Sequence, residues 1–158
     1  MTRTALTAVV LASLAAWAGA QGPTPAHDKL RLLRANRTLL TDLVGSGVRL
    51  AAADQPVARA EACQQTARAV GLAVRRAAEA NEADRVAELG GHFETLVLDG
   101  LVPALTDADA VVPRESPEGV RLRAVRAGAA ADLDAIDAAL PADGAFKAKV
   151  AELRERLK

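Results

Sequence analysis

Acidic residues at the spacing of a calcium loop are the first candidates for chemistry in this sequence. Asp107 and Asp109 are followed by Glu118, eleven residues after the first aspartate, and a calcium loop uses acids at its first, third and twelfth positions. Val111 stands where the fifth position needs an oxygen ligand, and Val112 stands where the sixth needs glycine. The pattern therefore predicts a polar loop before a helix, not a calcium site.

Imidazole and thiol groups are too few and too scattered to suggest a zinc site. His27 and His92 are the two histidines and Cys63 is the one cysteine, whereas zinc sites use three or four ligands. Small apolar neighbours predict that Cys63 is a buried, hydrophobic thiol, and an intermolecular disulfide or a reactive thiol is the alternative. Gly90 and Gly91 suggest close approach of another helix, or a hinge. We predict no metal and no cofactor.

A pair of carboxylates is the nearest approach to an acid–base catalyst. Asp134 and Asp137 are three residues apart on one face of a predicted helix. Acid–base chemistry needs surroundings that separate the two pKa values, and nothing in the sequence supplies them. Nucleophile elbows, phosphate-binding glycine loops and haem-attachment motifs are also missing from the sequence. We therefore predict that the chain is not an enzyme.

The same predicted helix has an unusual order of charges, which we call the charged strip. Its first half is basic and its second half is acidic, opposite to the preference of the helix dipole. The strip consists of Arg121, Arg123, Arg126, Asp132, Asp134 and Asp137. If the last helix folds back antiparallel, Lys147 and Lys149 come near the last two aspartates, and the strip sets register within the fold. The alternative is a docking surface for another protein.

The start of the chain has the three parts of a secretory signal. Arg3 precedes an apolar stretch from Ala5 to Trp17, and the small residues Ala18 and Ala20 mark a cleavage site. The apolar run is shorter than the roughly 20 residues that a membrane-spanning helix needs. We predict a signal peptide at residues 1–20, with an uncleaved anchor as the alternative, and export to the periplasm or the extracellular space.

The remaining chain has the composition of one neutral, folded domain. Residues 21–27 contain two prolines and no apolar period, which predicts a disordered lead-in before a domain at 28–158. After removal of the signal, 19 basic and 20 acidic side chains remain, so no strong field attracts a polyanion or an anionic membrane. Two phenylalanines are the only aromatic residues left. We expect neither nucleic-acid binding nor stable membrane insertion.

Apolar residues at helical spacing predict the first three helices. Helix one begins at Asp28, and a bend or break is expected at Gly45–Gly47. Asp54 is expected to cap helix two and Asn81 to cap helix three, which should end or kink near Leu101 because Pro103 lacks an N–H donor. The predicted apolar stripes are Leu33, Leu40, Leu43 and Leu50; Val57, Ala60, Ala67 and Val74; and Val86, Leu89, Phe93 and Leu96.

Two further helices are expected after a long connection at residues 106–116. Ser116, Pro117 and Glu118 form a strong helix start, Pro141 ends that helix, and the last one begins near Asp143. Their predicted stripes are Leu122, Val125, Ala129, Leu133, Ile136 and Leu140, and then Phe146, Val150, Leu153 and Leu157.

Helical periods without alternating segments predict an all-α fold, an antiparallel bundle of four to five helices. A tetratricopeptide-like pair of helices at residues 58–101 is the structural alternative, although its pattern of small and large residues does not align and no second copy is visible.

Exclusion of other classes leads to the functional prediction. We predict an exported, non-enzymatic protein that binds another envelope protein or itself, as an accessory or sensing component of the cell envelope. The alternative is a carrier of a small molecule or metal, whose cavity between helices would be lined by Phe93, Gly90, Gly91 and Gly100.

Overall fold

The described part of the chain is all-helical. The computed structural model describes residues 26–157, and no strand occurs in that range. The elements are α1 (Ala26–Ala51), α2 (Pro56–Glu79), α3 (Ala83–Thr95), the π turn (Leu96–Leu101), α4 (Val102–Val111), α5 (Pro117–Ala139) and α6 (Ala145–Arg156). The predicted all-α class is confirmed for these residues. None of these helices combines the length and the apolar character that a membrane crossing requires.

Some predictions for the N-terminal part of the chain lie outside the described residues. These are the signal peptide, its cleavage site at Ala18 and Ala20, and residues 21–25 of the lead-in. The last two residues of the predicted lead-in belong to α1, which begins at Ala26.

The helix α1 continues through the glycines that were expected to interrupt it. Residues 45–47 are helical, like the residues on both sides of them. The side chain of Ser46 is almost fully buried, and its hydroxyl oxygen accepts a hydrogen bond from Nη2 of Arg49 (3.0 Å). This bond links consecutive turns of the helix. The expected break is therefore wrong, because a glycine weakens a helix by only about 1 kcal/mol.

The chain divides into two units between Arg37 and Thr38. In the first unit, the described residues form the start of α1, where Leu30 and Leu33 are exposed. The second unit contains the rest of α1 and all later helices. The largest fully buried side chains of its core include Phe93, Leu101, Leu133, Ile136 and Leu153.

The start of α2 lies one residue later than the predicted cap. Gln55, not Asp54, is the N-cap residue, and its side chain makes no capping hydrogen bond. Pro56 is the first helical residue, as expected. The physical reason is that a proline holds the residue before it in extended backbone, which places the half-helical cap position directly before Pro56.

The residue Asn81 ends α2 and does not cap α3. Its φ of 56° lies in the left-handed region, which asparagine tolerates better than most residues. The N–H of Asn81 donates to the carbonyl of Ala78 (3.0 Å), and the N–H of Glu82 donates to the carbonyl of Ala77 (2.9 Å). This pair of bonds is a Schellman motif. The sequence correctly indicated a helix boundary at Asn81, but this residue ends α2 and does not begin α3.

The proline at position 103 changes the hydrogen bonding of the helix without ending it. Helical backbone runs from α3 through the π turn into α4, and the N–H of Val102 donates to the carbonyl of Val97, five residues earlier. Pro103 lies in the first turn of α4, where its missing donor is tolerated. The expected end near Leu101 is therefore a π turn.

The predicted connection at 106–116 is consequently too long. Since α4 extends to Val111, only residues 112–116 connect it to α5. Asp107 and Asp109 lie on α4, not in a loop of the calcium-binding kind. Helix propensity in this alanine-containing segment outweighed its polar residues, and Pro113 lies beyond the end of α4.

The predicted start of α5 is confirmed by its cap. The Ser116 hydroxyl accepts a hydrogen bond from the N–H of Gly119 (3.0 Å), and Pro117 begins the helix. A Cβ atom at Gly119 would lie 2.5 Å from the carbonyl oxygens of Pro113 and Arg114. The tight turn into α5 therefore needs glycine at this position.

Most of the predicted apolar stripes form the core. Every residue predicted for the stripes of α2, α5 and α6 is buried, which confirms those three faces. On α3, Phe93 is buried, whereas Val86, Leu89 and Leu96 are partly buried against the same core.

The helices α2 and α5 pack side by side in the same direction. Glu61 contacts Arg121 at the start of both helices, and Gln64 contacts Asp132 further along. A Cβ atom at Gly128 would lie 3.3 Å from the amide of Gln64, so the missing side chain permits close approach. The more local pairs run antiparallel: α2 packs against α3, and α5 packs against α6.

The adjacent glycines of α3 are expected to respond oppositely to alanine. A Cβ atom at Gly90 would lie 2.8 Å from the Phe146 ring, whereas nothing lies within 4 Å of one at Gly91. Gly91→Ala should raise the free energy of unfolding by about 0.5–1 kcal/mol through helix propensity. Gly90→Ala should lower it by about 1–3 kcal/mol through overpacking. Urea denaturation measures both, and equal effects would contradict this packing of α6 on α3.

Candidate functional site

The basic half of the charged strip makes contacts within the chain. Arg121 donates to Glu61 of α2 through Nε (2.9 Å) and Nη2 (2.6 Å). Arg126 donates to both carboxylate oxygens of Asp109, and this hydrogen bonding lowers the pKa of Asp109 below its ordinary value. Arg123 donates to a main-chain carbonyl of the preceding connection (2.6 Å). These bonds join α5 to α2 and α4.

The first aspartate of the strip is partly buried between α5 and α2. Asp132 accepts a hydrogen bond from Nε2 of Gln64 (3.0 Å) and lies 3.7 Å from Nε of Arg68. Burial raises the pKa of Asp132, although Arg68 and Gln64 both favour its charged form. Its carboxylate therefore serves the contact between the two helices.

The last two aspartates of the strip pair with α6. Lys147 lies 3.4 Å from Asp137, as the sequence predicted. Lys149 instead donates to a carboxylate of α3 (2.6 Å), and Arg154 donates to Asp134 (2.6 Å). Since α6 folds back antiparallel, these pairs fit the prediction that the strip sets helix register. Docking of another protein to the strip stays a prediction.

His92 and Cys63 lie on different helices. His92 is exposed on α3, and the backbone of His27 lies at the start of α1. Cys63 is partly buried on α2, where burial raises the pKa of the thiol and Arg59 opposes this only in part. Its reactive thiolate form is therefore disfavoured at neutral pH. Within residues 26–157, no three His, Cys, Asp or Glu residues gather in a group that could hold a metal ion.

The space beside Phe93 is much smaller than a carrier cavity. It measures about 10 Å³, and one water needs roughly 10–15 Å³. Of the glycines predicted to line it, Gly90 faces the Phe146 ring and Gly100 faces the sulfur of Cys63. Phe93, Gly90 and Gly100 therefore serve packing between helices, whereas Gly91 is exposed and lines no cavity there.

The described residues also present an exposed apolar row on α1, of which the predicted stripe contained only Leu40. Leu39 and Leu43 pack against the core, whereas Leu40, Val44 and Val48 are 61%, 67% and 66% exposed. We call these three residues the α1 outer face. The predicted stripe combined Leu40 with Leu43, which lie roughly 60° apart around the helix, but only Leu43 packs against the core. The signal that reveals the row is the repeat of apolar residues at intervals of four beside that stripe.

A polar cleft lies between α1 and α2, beside the α1 outer face. Its volume is about 320 Å³, and its lining includes Asp42, Ser46, Arg49 and Arg68. Charged and polar side chains therefore border the exposed apolar row. Comparison with protein-family models, with curated proteins and with solved structures finds no match for this chain.

Proposed function

We propose that this chain is an exported, non-enzymatic helical protein that acts by binding another protein of the cell envelope or a second copy of itself. The proposal takes the packed helices to be a bundle of four to five helices behind a signal peptide, antiparallel between helices that follow each other in the chain. Its role is that of an accessory or sensing component, and the α1 outer face is its binding surface.

The single observation that carries the proposal is the exposure of Leu40, Val44 and Val48 in one row. Isolated exposed apolar residues are common on protein surfaces, but aligned ones mark interaction sites. Each of the three side chains is more than half exposed, although Leu39 and Leu43 on the same helix have packing partners in the core. Burial of this row by a partner would remove apolar surface from water, which favours association.

The shape of the row supports a helix as the partner's binding element. Leu40, Val44 and Val48 follow each other at intervals of four residues, so they extend over roughly 12 Å of one helix face at 1.5 Å per residue. A narrow apolar row is typical of a seam between helices, whereas membrane-surface helices present a wider apolar face. The polar cleft beside it offers Arg49 and Arg68 to polar groups at the rim of such a partner.

Site-specific photo-crosslinking tests the proposed surface. A photoreactive amino acid at position 44, in cells that express the full-length chain, should give a covalent product with a partner protein. A product of twice the mass of the chain would identify a second copy as the partner. Leu40→Glu should lower the yield at least about fivefold, because a charge in an apolar contact is costly.

The matched control uses an exposed valine elsewhere. Val111 is 65% exposed at the end of α4, so a photoreactive residue there should give no such product. Val111→Glu should leave the yield from position 44 unchanged. Equal products from positions 44 and 111, or none from either, would contradict the proposal.

The charged strip, the tetratricopeptide-like pair and the carrier alternative can each be tested separately. Arg121→Glu, Arg123→Glu and Arg126→Glu in combination should leave the product from position 44 unchanged if the charged strip only sets register. A loss of this product in a variant that keeps the melting curve of the unaltered protein would identify the strip as a second docking surface. The tetratricopeptide-like pair at residues 58–101 would predict products from positions on α2 and α3 instead. The carrier alternative depends on a ligand cavity, which requires a place other than the space beside Phe93.

A further inference from the structure

An open apolar groove lies at the end of the fold where two helix corners meet. The α2–α3 corner contributes one wall, and the α5–α6 corner contributes the other. Both corners are at the same end because α2 and α5 run in the same direction. The groove has a volume of about 260 Å³ and shares no lining residue with the α1 outer face.

The floor of the groove is apolar and well packed. Leu140 and Phe146 are buried in the core and line the groove with Val86. The Phe146 ring lies so close to α3 that Gly90 has no room for a Cβ atom. Contact with α3 therefore fixes the position of the Phe146 ring, and the groove is present without any movement of α6.

The size of the groove restricts what it can hold. A cavity of about 150 Å³ with apolar walls binds benzene, and this groove is larger, at about 260 Å³. The groove therefore has room for a compact small molecule.

The mouth of the groove indicates the polarity of the ligand. Asn81 is exposed there, and its side-chain amide can both donate and accept hydrogen bonds. The lining also includes Glu82, whose carboxylate is paired with Arg85 at 3.7 Å. Because this pair is neutral overall, the mouth offers a ligand hydrogen bonds without a net charge.

We propose that this groove binds a compact, neutral, mainly apolar small molecule of about two rings, with one hydrogen-bonding group directed to Asn81. The ligand's apolar body packs on Val86, Leu140 and Phe146, and its polar group stays at the mouth. Binding of this kind is independent of the protein contact proposed for α1.

Fluorescence titration with prodan tests this site in protein purified from cells that express the full-length chain. Prodan is a neutral naphthalene with one ketone, and its emission shifts to the blue in apolar surroundings. We expect saturable binding of one molecule per chain. Ala87→Leu places a larger side chain at the mouth of the groove and should weaken binding at least about tenfold.

Two further variants distinguish binding of prodan in the groove from its nonspecific binding to the protein. Ala151→Leu adds the same atoms at an exposed position of α6 outside the groove, and its affinity should equal that of the unaltered protein. Asn81→Gly keeps the left-handed backbone and removes the amide, which should weaken binding about fivefold. Melting curves establish that the variants fold. Absence of saturable binding, or equal affinity in Ala87→Leu and Ala151→Leu, would overturn the proposal.

Discussion

Replacement of Leu153 by aspartate is expected to remove α6 from the core and to lower the free energy of unfolding by at least about 4 kcal/mol. Leu153 is 1% exposed, so the substitution loses a fully buried apolar side chain and places a carboxylate where no water reaches it. Thermal and urea denaturation followed by circular dichroism measure the effect.

The matched control lies on the same helix. Ala151 is exposed, so Ala151→Asp introduces the same charge into solvent and should change stability by less than about 1 kcal/mol. The difference between the two variants isolates burial from helix propensity. An unchanged melting temperature in Leu153→Asp would mean that α6 is not part of the core.

Truncation of Phe93 is expected to have the second-largest effect, a loss of about 3–5 kcal/mol in Phe93→Ala. The side chain is 2% exposed, and its ring and Ile136 both reach the surface of Gly71, where a Cβ atom would lie 3.1 Å from each. The cavity left by the ring is enclosed by α2 and α5, so the surrounding helices can close it only in part. Urea denaturation gives the loss.

Comparison with two milder variants identifies its cause. Phe93→Leu keeps most of the apolar volume and should lose only about 1–1.5 kcal/mol. Leu89→Ala acts on a partly buried residue of the same helix and should lose less than Phe93→Ala. If all three variants lost equal stability, the ring would not be the centre of the contact between α2, α3 and α5.

The parts of the fold that could be predicted are those set by local chemistry. Ser116 and Pro117 predicted the start of α5, because a capping hydroxyl and a proline act on the backbone of a single helical turn. The apolar stripe that includes Phe146 and Leu153 predicted the buried face of α6, because few polar residues interrupt this stripe. These signals depend on neighbours in sequence, which the sequence shows.

The parts that could not be predicted depend on competition between signals. Asn81 was predicted to cap helix three and Pro103 to end or kink it, but their context decided what they do. A left-handed asparagine ends α2 before α3 starts, and a π turn leads into α4 with its proline in the first turn. Distinguishing these outcomes requires the hydrogen bonds of the surrounding turns.

The candidate sites could be predicted only in part, because they depend on contacts between residues that are far apart in the sequence. The pairing of Lys147 with Asp137 followed from one assumption, that α6 folds back antiparallel. The α1 outer face was missed because apolar residues cover a wide part of α1, and only the core shows which of them are covered. The apolar groove was missed because it needs two corners, near Asn81 and Pro141, at one end of the fold.

The side-by-side packing of α2 and α5 has a consequence for the order of folding. Glu61 and Arg121 are 60 positions apart in the sequence, so this contact closes a long loop and pays the entropic cost of doing so. The α2–α3 hairpin needs only a three-residue turn between Glu79 and Ala83. Low contact order favours early assembly of that hairpin, and we expect the arrival of α5 to be the slow step that completes the native state.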